Sequence, residues 1–342
     1  MEWFQKNKRP LPWRARYRPY EVWVSEIMLQ QTQMETVLPY FRRWMKVFPT
    51  IGSLAAADEK KVLKLWEGLG YYSRARSLHE SAKLIVQKHN GLFPSDYETM
   101  LSLKGVGRYT AGAIASIAFN QNKPIVDGNV LRVLSRVYAI KKPIDVEKNK
   151  EIFWKRQEGL IPKRAARFFN QALMELGALV CGSQNPSCAV CPIQKFCAAY
   201  EKGNPEDYPI RKNRKKIVKV TASALVLQKN GKYLIRLRPL GEIMGGLWEF
   251  PEWKLARDKK MRLEKIKEKT RGLAKKEFSF ETNGLKHLGS IKRNYTHHNE
   301  TLEVFFMQAD RARSARGLWV KKNEFKKYPF SSAHAKIVKL IC

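Results

Sequence analysis

The spacing of apolar residues changes near residue 200, and this change constrains the fold more than any other feature of the 342-residue chain. Up to Tyr200, apolar side chains recur at spacings of three and four, the pattern of amphipathic helices. Beyond it come Pro, Gly and a basic run, and then two β-prone segments joined at Asn230 and Gly231, a strong hairpin signal. We therefore predict an all-α domain over residues 1–208, a basic linker over 209–219 and an α+β domain over 220–342.

The chain is strongly basic, with 65 Lys and Arg residues against 31 Asp and Glu residues and a formal net charge of +34. Such an excess favours a polyanionic partner, because basic side chains release counterions from nucleic acid on binding. A basic protein without such a partner is the alternative. No apolar run reaches the roughly 20 residues of a membrane-spanning helix, and the start of the chain lacks the apolar stretch of a signal peptide. We therefore expect a cytoplasmic protein that binds nucleic acid.

Four of the five cysteines fall in one segment, CGSQNPSCAVCPIQKFC, with the spacing C-x6-C-x2-C-x5-C. So few cysteines in a chain of this length argue against a secreted disulfide framework. Four thiolates can hold a tetrahedral zinc ion or a 4Fe–4S cluster. Zinc ribbons usually have two C-x2-C pairs and this segment has one, so the spacing favours the cluster and leaves zinc open. The expected ligands are Cys181, Cys188, Cys191 and Cys197.

Two glycines, Gly105 and Gly107, separate a short predicted helix from a longer one in LSLKGVGRYTAGAIASIAF. Such a turn exposes backbone N–H groups at a helix N-terminus, where a phosphate oxygen can be held. Because Gly-x-Gly turns also join helices in unrelated proteins, this segment indicates a phosphate site only together with other signals.

Two carboxylates lie in contrasting surroundings. Glu26 stands among apolar side chains in VWVSEIMLQQTQ, where burial would raise its pKa and keep it protonated near neutral pH. Asp127 in PIVDGNV precedes a predicted helix, where an N-cap role would depress its pKa and keep it ionised. Two carboxylates whose pKa values are pushed apart by their surroundings are the pattern expected of a catalytic acid and an anion. The alternatives are an ordinary helix residue for Glu26 and a purely structural cap for Asp127.

Several motifs together resemble one family. The cysteine segment with the preceding FNQALMELGALVC resembles the iron–sulfur loop of the endonuclease III superfamily of DNA glycosylases. The glycine turn followed by PIVDGNV resembles the helix-hairpin-helix and Gly/Pro/Asp module of that superfamily, although Lys104 stands where its hairpin usually has Pro. Within the superfamily, LPWR, SEIMLQQTQ and GLGYYSRAR resemble the adenine DNA glycosylases, the MutY family.

This resemblance implies a cofactor, a substrate and a role for each site residue. The cofactor would be one 4Fe–4S cluster, and the substrate double-stranded DNA with adenine opposite 8-oxoguanine or guanine, processed by a monomer in the bacterial cytosol or nucleoid. Glu26 would protonate adenine at N7, Asp127 would stabilise the sugar cation or a covalent sugar intermediate, and Tyr109 and Asn129 would order the aspartate and the water. The residues expected to contact DNA or the extruded adenine are Trp13, Arg14, Gln30, Gln31, Thr32, Leu69, Tyr71, Gly105 and Gly107. A core role is the alternative for Trp13 and Tyr71.

One position separates the subfamilies. Bifunctional relatives carry a Lys in the helix after the hairpin, where it forms a Schiff base with the sugar, and this chain has Tyr109 there. The resemblance therefore implies a monofunctional glycosylase that leaves an abasic site.

The motifs GGLWEFP and GLWV resemble the C-terminal domain of adenine DNA glycosylases, which is similar to the Nudix (MutT-like) fold. The stretch where a Nudix hydrolase carries its metal-binding acids, RDKKMRLEKIKEKTRG, is rich in lysine and lacks them. The resemblance therefore implies recognition of the lesion rather than pyrophosphate hydrolysis. Tyr295, Thr296 and His297 stand where the family has the Phe-Ser-His loop that contacts 8-oxoguanine, and a polar hairpin turn is the alternative.

Three other functions are compatible with parts of the sequence. An endonuclease III-like glycosylase/lyase for oxidised pyrimidines is disfavoured by Tyr109 and by the additional domain. A non-catalytic iron–sulfur DNA-binding protein is disfavoured by the pairing of Glu26 with Asp127, and a Nudix phosphohydrolase by the missing acids. The leading hypothesis is an adenine DNA glycosylase of base excision repair.

Overall fold

The structure, a computed structural model, describes residues 1–212, 217–278, 284–295, 298–309 and 317–341. The chain divides into two compact units, the first made of Met1–Ala57 and Ser73–Arg214 and the second of Asp58–Tyr72 and Lys215–Cys342. The predicted fold class is confirmed, with helices in the first unit and a β-sheet with helices in the second. No helix among the described residues is both long enough and apolar enough to cross a membrane.

Fourteen α-helices lie within the described residues, and α5 and the last two belong to the second unit. In chain order they are α1 (Glu2–Asn7), α2 (Pro19–Leu29), α3 (Met34–Val47), α4 (Ile51–Ala55), α5 (Glu59–Trp66), α6 (Ser73–His89), α7 (Tyr97–Ser102), α8 (Arg108–Ile117), α9 (Gly128–Val137), α10 (Glu147–Leu160), α11 (Ala166–Leu179), α12 (Ala198–Glu201), α13 (Leu263–Phe278) and α14 (Ser332–Ile341). Short 3-10 helices cover Pro12–Arg14, Cys188–Val190, Gln194–Phe196, Pro205–Asp207 and Lys322–Lys327.

Helix α2 lies at the centre of the first unit, where it packs against α3, α6 and α8. Its residues from Val22 to Met28 are all buried, including Ser25 and Glu26. This position explains why α2 is apolar nearly all round, since a helix covered on several sides has no face to give to water. Glu26 therefore lies in the interior because the helix that carries it does.

A second group of helices forms the core beside the predicted active site. Helix α9 is strongly amphipathic and buries Val130, Val133 and Leu134 against α10 and α11. Phe153 and Leu176 complete this apolar cluster from the two neighbouring helices. The cluster holds the N-terminus of α9, and with it Asp127, in a fixed position.

The second unit contains a mixed seven-stranded sheet. Its strands are β1 (Val218–Lys229), β2 (Lys232–Leu237), β3 (Trp248–Glu249), β4 (Glu252–Arg257), β5 (Lys286–Tyr295), β6 (His298–Gln308) and β7 (Leu318–Lys321). The main path runs β3-β2-β1-β6-β5, β4 pairs with β1, and β7 pairs with β2. The pairing of β1 with β6 is parallel and the others are antiparallel. The predicted hairpin joins β1 to β2, and Asn230 and Gly231 have φ values of 48° and 70°, as a type I′ turn requires.

The two faces of this sheet are covered by different helices. Successive residues of β1 point to opposite faces, so Val226 belongs to the apolar cluster that contains Ile337 of α14. Its neighbour Leu225 belongs to the cluster that contains Ile266 and Phe278 of α13. One helix thus covers each face of the sheet.

Candidate active site

A cavity of about 880 Å³ opens in the first unit, a volume usual for a small-molecule site. The predicted site residues that line it are Trp13, Arg14, Glu26, Gln30, Gln31, Thr32, Tyr109, Asp127 and Asn129. They come from α2 and the loop after it, from α8, from the N-terminus of α9 and from the 3-10 helix Pro12–Arg14. Residues separated by about a hundred positions in sequence therefore converge on one cavity.

Glu26 is a buried acid at this cavity, with 5% of its surface exposed. The hydroxyl of Tyr109 donates a 2.8 Å hydrogen bond to Oε2 of Glu26. Burial raises the pKa of Glu26 to about 7, and the negative charge of Asp127 adds to this. The bond from Tyr109 and the charge of Arg14 act in the opposite direction but are outweighed. Near neutral pH a large share of molecules therefore carries a protonated Glu26, as predicted from its apolar neighbours.

Asp127 is the N-cap of α9, as predicted. Its Oδ1 accepts a 2.7 Å bond from the backbone N–H of Val130, and its Oδ2 accepts a 3.0 Å bond from Nδ2 of Asn129. The prediction that its pKa is depressed is wrong. Removal of the carboxylate from water raises the pKa of Asp127, and the N–H donors and the charge of Arg132 lower it by less.

Asn129 is held by Arg132 of its own helix, which in turn bonds to α11. Its Oδ1 accepts a 2.9 Å bond from Arg132, whose guanidinium also donates to the backbone oxygens of Gly177 and Cys181. A Cβ at Gly177 would lie 2.6 Å from Cβ of Asn129, so only glycine lets α11 approach α9 this closely. Asn129 therefore presents its amide to Asp127 from a fixed position.

Glu175 is a buried acid at the same cavity that sequence reasoning missed. Its Oε2 accepts a 2.9 Å bond from Nε of Arg9, and its Oε1 accepts a bond from Arg14. One carboxylate thus holds two guanidinium groups beside Glu26 and Asp127. The signal was present in the sequence, because Glu175 interrupts the apolar run ALMELGAL just as Glu26 interrupts its own helix.

The loop after α2 is fixed by Arg74. Its Nη1 donates to the backbone oxygens of Ile27 and Met28 at 2.9 and 3.0 Å, and its Nη2 lies 3.3 Å from Oγ1 of Thr32. The guanidinium therefore satisfies carbonyl groups at the end of α2 that have no partner within the helix. Gln31 follows with a φ of 55° at the cavity wall.

The predicted hairpin turn is present between α7 and α8. Gly105 has a φ of 78°, and a Cβ there would lie 2.8 Å from Cβ of Ser77, so both its conformation and its packing require glycine. Gly107 has a φ of −94° and caps α8 with extended backbone. Lys104 is exposed and pairs with Glu80, and its presence in place of the usual proline leaves the turn intact.

Trp13 is nearly buried and packs edge-on against Phe41, with 4.9 Å between ring centroids, so it contributes to the core as well as to the cavity wall. Tyr71 and Leu69, both expected to contact the DNA, lie in the second unit, where Tyr71 is 42% exposed and Leu69 is buried. The side chain of Tyr295, together with Thr296 and His297, falls outside the described residues.

The four cysteines line one small cavity that also contains Arg136. Burial and the neighbouring sulfurs raise the pKa of Cys188 and Cys191, and a bound cation would favour their thiolates. Arg136 donates to Sγ of Cys181 at 3.2 Å and to the backbone oxygens of Gly182 and Pro205. The donor set and its enclosure fit a metal or iron–sulfur centre.

A second group of ligand-type side chains lies in the second unit. Among the described residues, Glu249, Glu252 and His334 are the group whose ligand atoms come within 4.8 Å of one another. Arg238 pairs with both carboxylates, and Arg293 donates to both oxygens of Glu252. Because the two arginines already neutralise these acids, the three side chains belong to an ion-pair network rather than a metal site.

The comparisons with protein families match both units. Residues 24–158 match the HhH-GPD superfamily of base excision DNA repair proteins, and residues 222–340 match the NUDIX domain. Among solved structures, a thermostable thymine-DNA glycosylase has a TM-score of 0.55 at 28% identity, covering 59% of this chain and 93% of its own. A trapped endonuclease III–DNA covalent intermediate shares the fold, with a TM-score of 0.51 at 24% identity, over 59% of this chain and 92% of its own.

Several curated relatives carry the name adenine DNA glycosylase. The adenine DNA glycosylase of Buchnera aphidicola subsp. Baizongia pistaciae is 41% identical over 256 residues, covering 74% of this chain and 72% of its own. That of Rattus norvegicus is 34% identical over 401 residues, covering 99% of this chain and 76% of its own. That of Arabidopsis thaliana is 40% identical over 291 residues, covering 73% of this chain and 46% of the plant protein's length. This chain belongs to the family of the adenine DNA glycosylases.

Proposed function

We propose that the protein hydrolyses the N-glycosidic bond of adenine mispaired with 8-oxoguanine, and with guanine, in double-stranded DNA, and leaves an abasic site. The observation that carries this proposal is the meeting of Glu26 and Asp127 at one cavity in a chain of this family. The excess of basic residues supports a DNA substrate.

The two carboxylates take different roles in the proposed reaction. Glu26, protonated, donates its proton to N7 of adenine, and the electrons of the bond between C1′ and N9 leave with the base. The carboxylate of Asp127 stabilises the positive charge that develops on the sugar. A water then adds its oxygen to C1′, and its proton returns to Glu26. Asp127 accepts bonds from N–H donors of Val130 and Asn129, which favour its ionised form, whereas Glu26 accepts a bond from one phenol.

The neighbouring residues order this pair. Tyr109 orients Glu26, and Asn129 orients Asp127 and the attacking water. Gln30, Gln31 and Thr32 offer amide and hydroxyl groups to the edge of an adenine that has left the stack. Trp13 and Arg14 supply an aromatic and a charged wall for it.

The contacts to the DNA duplex belong to other segments. The turn at Gly105 and Gly107 binds a backbone phosphate through the N-terminus of α8. Tyr71 and Leu69 fill the gap that the extruded adenine leaves in the stack.

Residues 1–208 form the glycosylase domain in this proposal, residues 209–219 link it to the rest of the chain, and residues 220–342 recognise the opposing lesion through Tyr295, Thr296 and His297. The protein acts as a monomer in the bacterial cytosol or nucleoid.

The proposal is tested with duplexes that carry adenine opposite 8-oxoguanine. Incubation followed by alkali should cleave the adenine strand, and incubation without alkali should leave it largely intact. No cleavage after alkali would reject the proposal, and cleavage before alkali would favour a glycosylase/lyase. Borohydride should give little covalent capture, because Tyr109 cannot form the Schiff base of a lyase.

We further propose that Cys181, Cys188, Cys191 and Cys197 hold one 4Fe–4S cluster. The four thiols line one cavity, and their segment has one C-x2-C pair where zinc ribbons usually have two, which supports the cluster over zinc. The purified protein should be brown, with a broad visible absorbance and about four iron atoms per chain. A colourless protein that contains stoichiometric zinc would reject the cluster.

A further inference from the structure

The segment Asp58–Tyr72 belongs to the second unit although the HhH-GPD match of residues 24–158 includes it. It contains α5 and the turn GLGYY, in which Tyr71 is 42% exposed. The rest of that unit is the sheet and helices that begin after residue 214. The segment that carries Tyr71 therefore contacts residues more than 250 positions away in sequence.

The backbone of Phe330 makes two hydrogen bonds with this segment. Its N–H donates a 3.0 Å bond to Oε1 of Glu67, and its carbonyl oxygen accepts a 3.0 Å bond from the hydroxyl of Tyr72. Two residues earlier, the carbonyl oxygen of Tyr328 accepts a 3.0 Å bond from Lys64, which also pairs with Glu67. Side chains on both sides of the turn thus bind the same short backbone segment, from Tyr328 to Phe330.

Phe330 is itself anchored in the sheet. Its side chain is 1% exposed and stacks on Phe250, with 5.9 Å between ring centroids. The backbone around it pairs with Trp248 of β3, whose N–H donates a 2.9 Å bond to the oxygen of Pro329. The bonds of Glu67 and Tyr72 therefore connect the turn to the core of the C-terminal sheet rather than to a surface loop.

The hydroxyl of Tyr72 also holds the turn internally, because it accepts a 3.2 Å bond from the N–H of Gly68. Within the turn, Gly68, Gly70 and Tyr71 all have positive φ, and that of Tyr71 is 46°. A residue with a Cβ adopts this conformation at a cost, so the surrounding contacts have to maintain it. One phenol group thus links the strained turn to Phe330.

We propose that Tyr72 and Glu67 are positioning residues through which the C-terminal sheet holds the Tyr71 turn in the shape needed to extrude adenine from the duplex. The C-terminal unit then takes part in base extrusion, in addition to recognising the opposing base. This inference rests on the proposed function, in which Tyr71 fills the gap in the stack.

The test uses full-length Tyr72→Phe and Glu67→Gln variants, with Tyr233→Phe as the matched control. Tyr233 is a buried tyrosine of the same sheet, and its hydroxyl accepts a 3.0 Å bond from Gln228. Single-turnover excision is measured on two substrates: a duplex with adenine opposite 8-oxoguanine, and the same strand with adenine in an unpaired bubble. We expect Tyr72→Phe, which loses the bond to Phe330, to be roughly tenfold slower on the duplex. Glu67→Gln keeps an oxygen acceptor but exchanges a charge-assisted bond for a weaker neutral one and loses the ion pair with Lys64, so we expect it to be about fivefold slower. On the bubble, where extrusion is already complete, both variants should be within about twofold of the wild type.

The control variant should match the wild type on both substrates. Equal losses of Tyr72→Phe and Glu67→Gln on duplex and bubble would show that these residues only support the fold, and would overturn the inference. Unchanged rates on both substrates would also overturn it. If the wild type excises adenine from neither substrate, it is the proposed function that fails. Should Tyr72→Phe not fold, as judged by circular dichroism, the isosteric Glu67→Gln variant decides alone.

Discussion

We expect the Glu26→Gln variant to be more stable than the wild type at pH 8, although it lacks the carboxyl that we propose as the acid in base removal. Burial raises the pKa of Glu26 to about 7, against 4.5 for an exposed glutamate. A carboxyl whose pKa is raised in the folded state binds its proton more tightly there than in the unfolded chain. The wild type therefore loses stability as the pH rises from about 4.5 to about 7. Glutamine has a similar shape and does not ionise, so the variant avoids this loss.

The size of the effect follows from the two pKa values. One pKa unit corresponds to about 1.4 kcal/mol, so the ionised Glu26 costs the folded state about 3 kcal/mol once the pH is well above 7. At pH 5 the cost is only about 1 kcal/mol, because the carboxyl is still protonated in the folded protein. The gap in stability between variant and wild type should therefore widen by about 2 kcal/mol from pH 5 to pH 8.

Denaturant unfolding of both proteins at pH 5, 6, 7 and 8 measures this gap. The other titrating groups are common to both proteins, so their contributions cancel in the difference. The same samples should show that Glu26→Gln still binds duplex DNA and no longer excises adenine. A gap that stays constant or narrows with pH would refute a buried Glu26 with a raised pKa, and excision near the wild-type rate would make it an ordinary helix residue.

Three further substitutions test the site. Asp127→Asn keeps an N-cap for α9, so we expect the free energy of unfolding to change by less than about 1 kcal/mol. Excision should fall at least ~100-fold. A large loss of stability would instead indicate a structural role for Asp127. Tyr109→Phe removes a bond that lowers the pKa of Glu26, so the high-pH limb of the excision profile should move to higher pH, and a move to lower pH would contradict this. Gly105→Ala should lower the free energy of unfolding by about 1–3 kcal/mol and weaken DNA binding. Gly107 has open space for a Cβ, so Gly107→Ala should change both properties little. Similar effects of the two substitutions would rule out the conformational argument.

The sequence predicted those properties that depend on near neighbours along the chain. The helical period before residue 200, the hairpin at Asn230 and Gly231 and the N-cap role of Asp127 are all present, since each is encoded within a few residues. The burial of Glu26 was also predictable, because the residues around it leave α2 no polar face.

The properties that sequence reasoning missed depend on distant parts of the chain. The pKa of Asp127 is raised because the walls of the cavity remove its carboxylate from water, an effect that its local cap motif does not reveal. The grouping of Tyr72 with Phe330 is likewise a tertiary contact with no local signature. Glu175 differs from both, since its apolar surroundings in sequence indicated a buried acid and only its arginine partners required the structure.

Helix α9 joins the two chemically distinct regions of the first unit. Asp127 caps its first turn, and Arg136 in its last turn binds the cysteine segment at Cys181 and Gly182. Ten residues of α-helix span about 15 Å and are too short to absorb a displacement by bending. If the cysteines hold the proposed cluster, a chain without it would therefore misplace its aspartate as well. The excision activity per milligram of protein should accordingly rise in proportion to the metal content of the preparation.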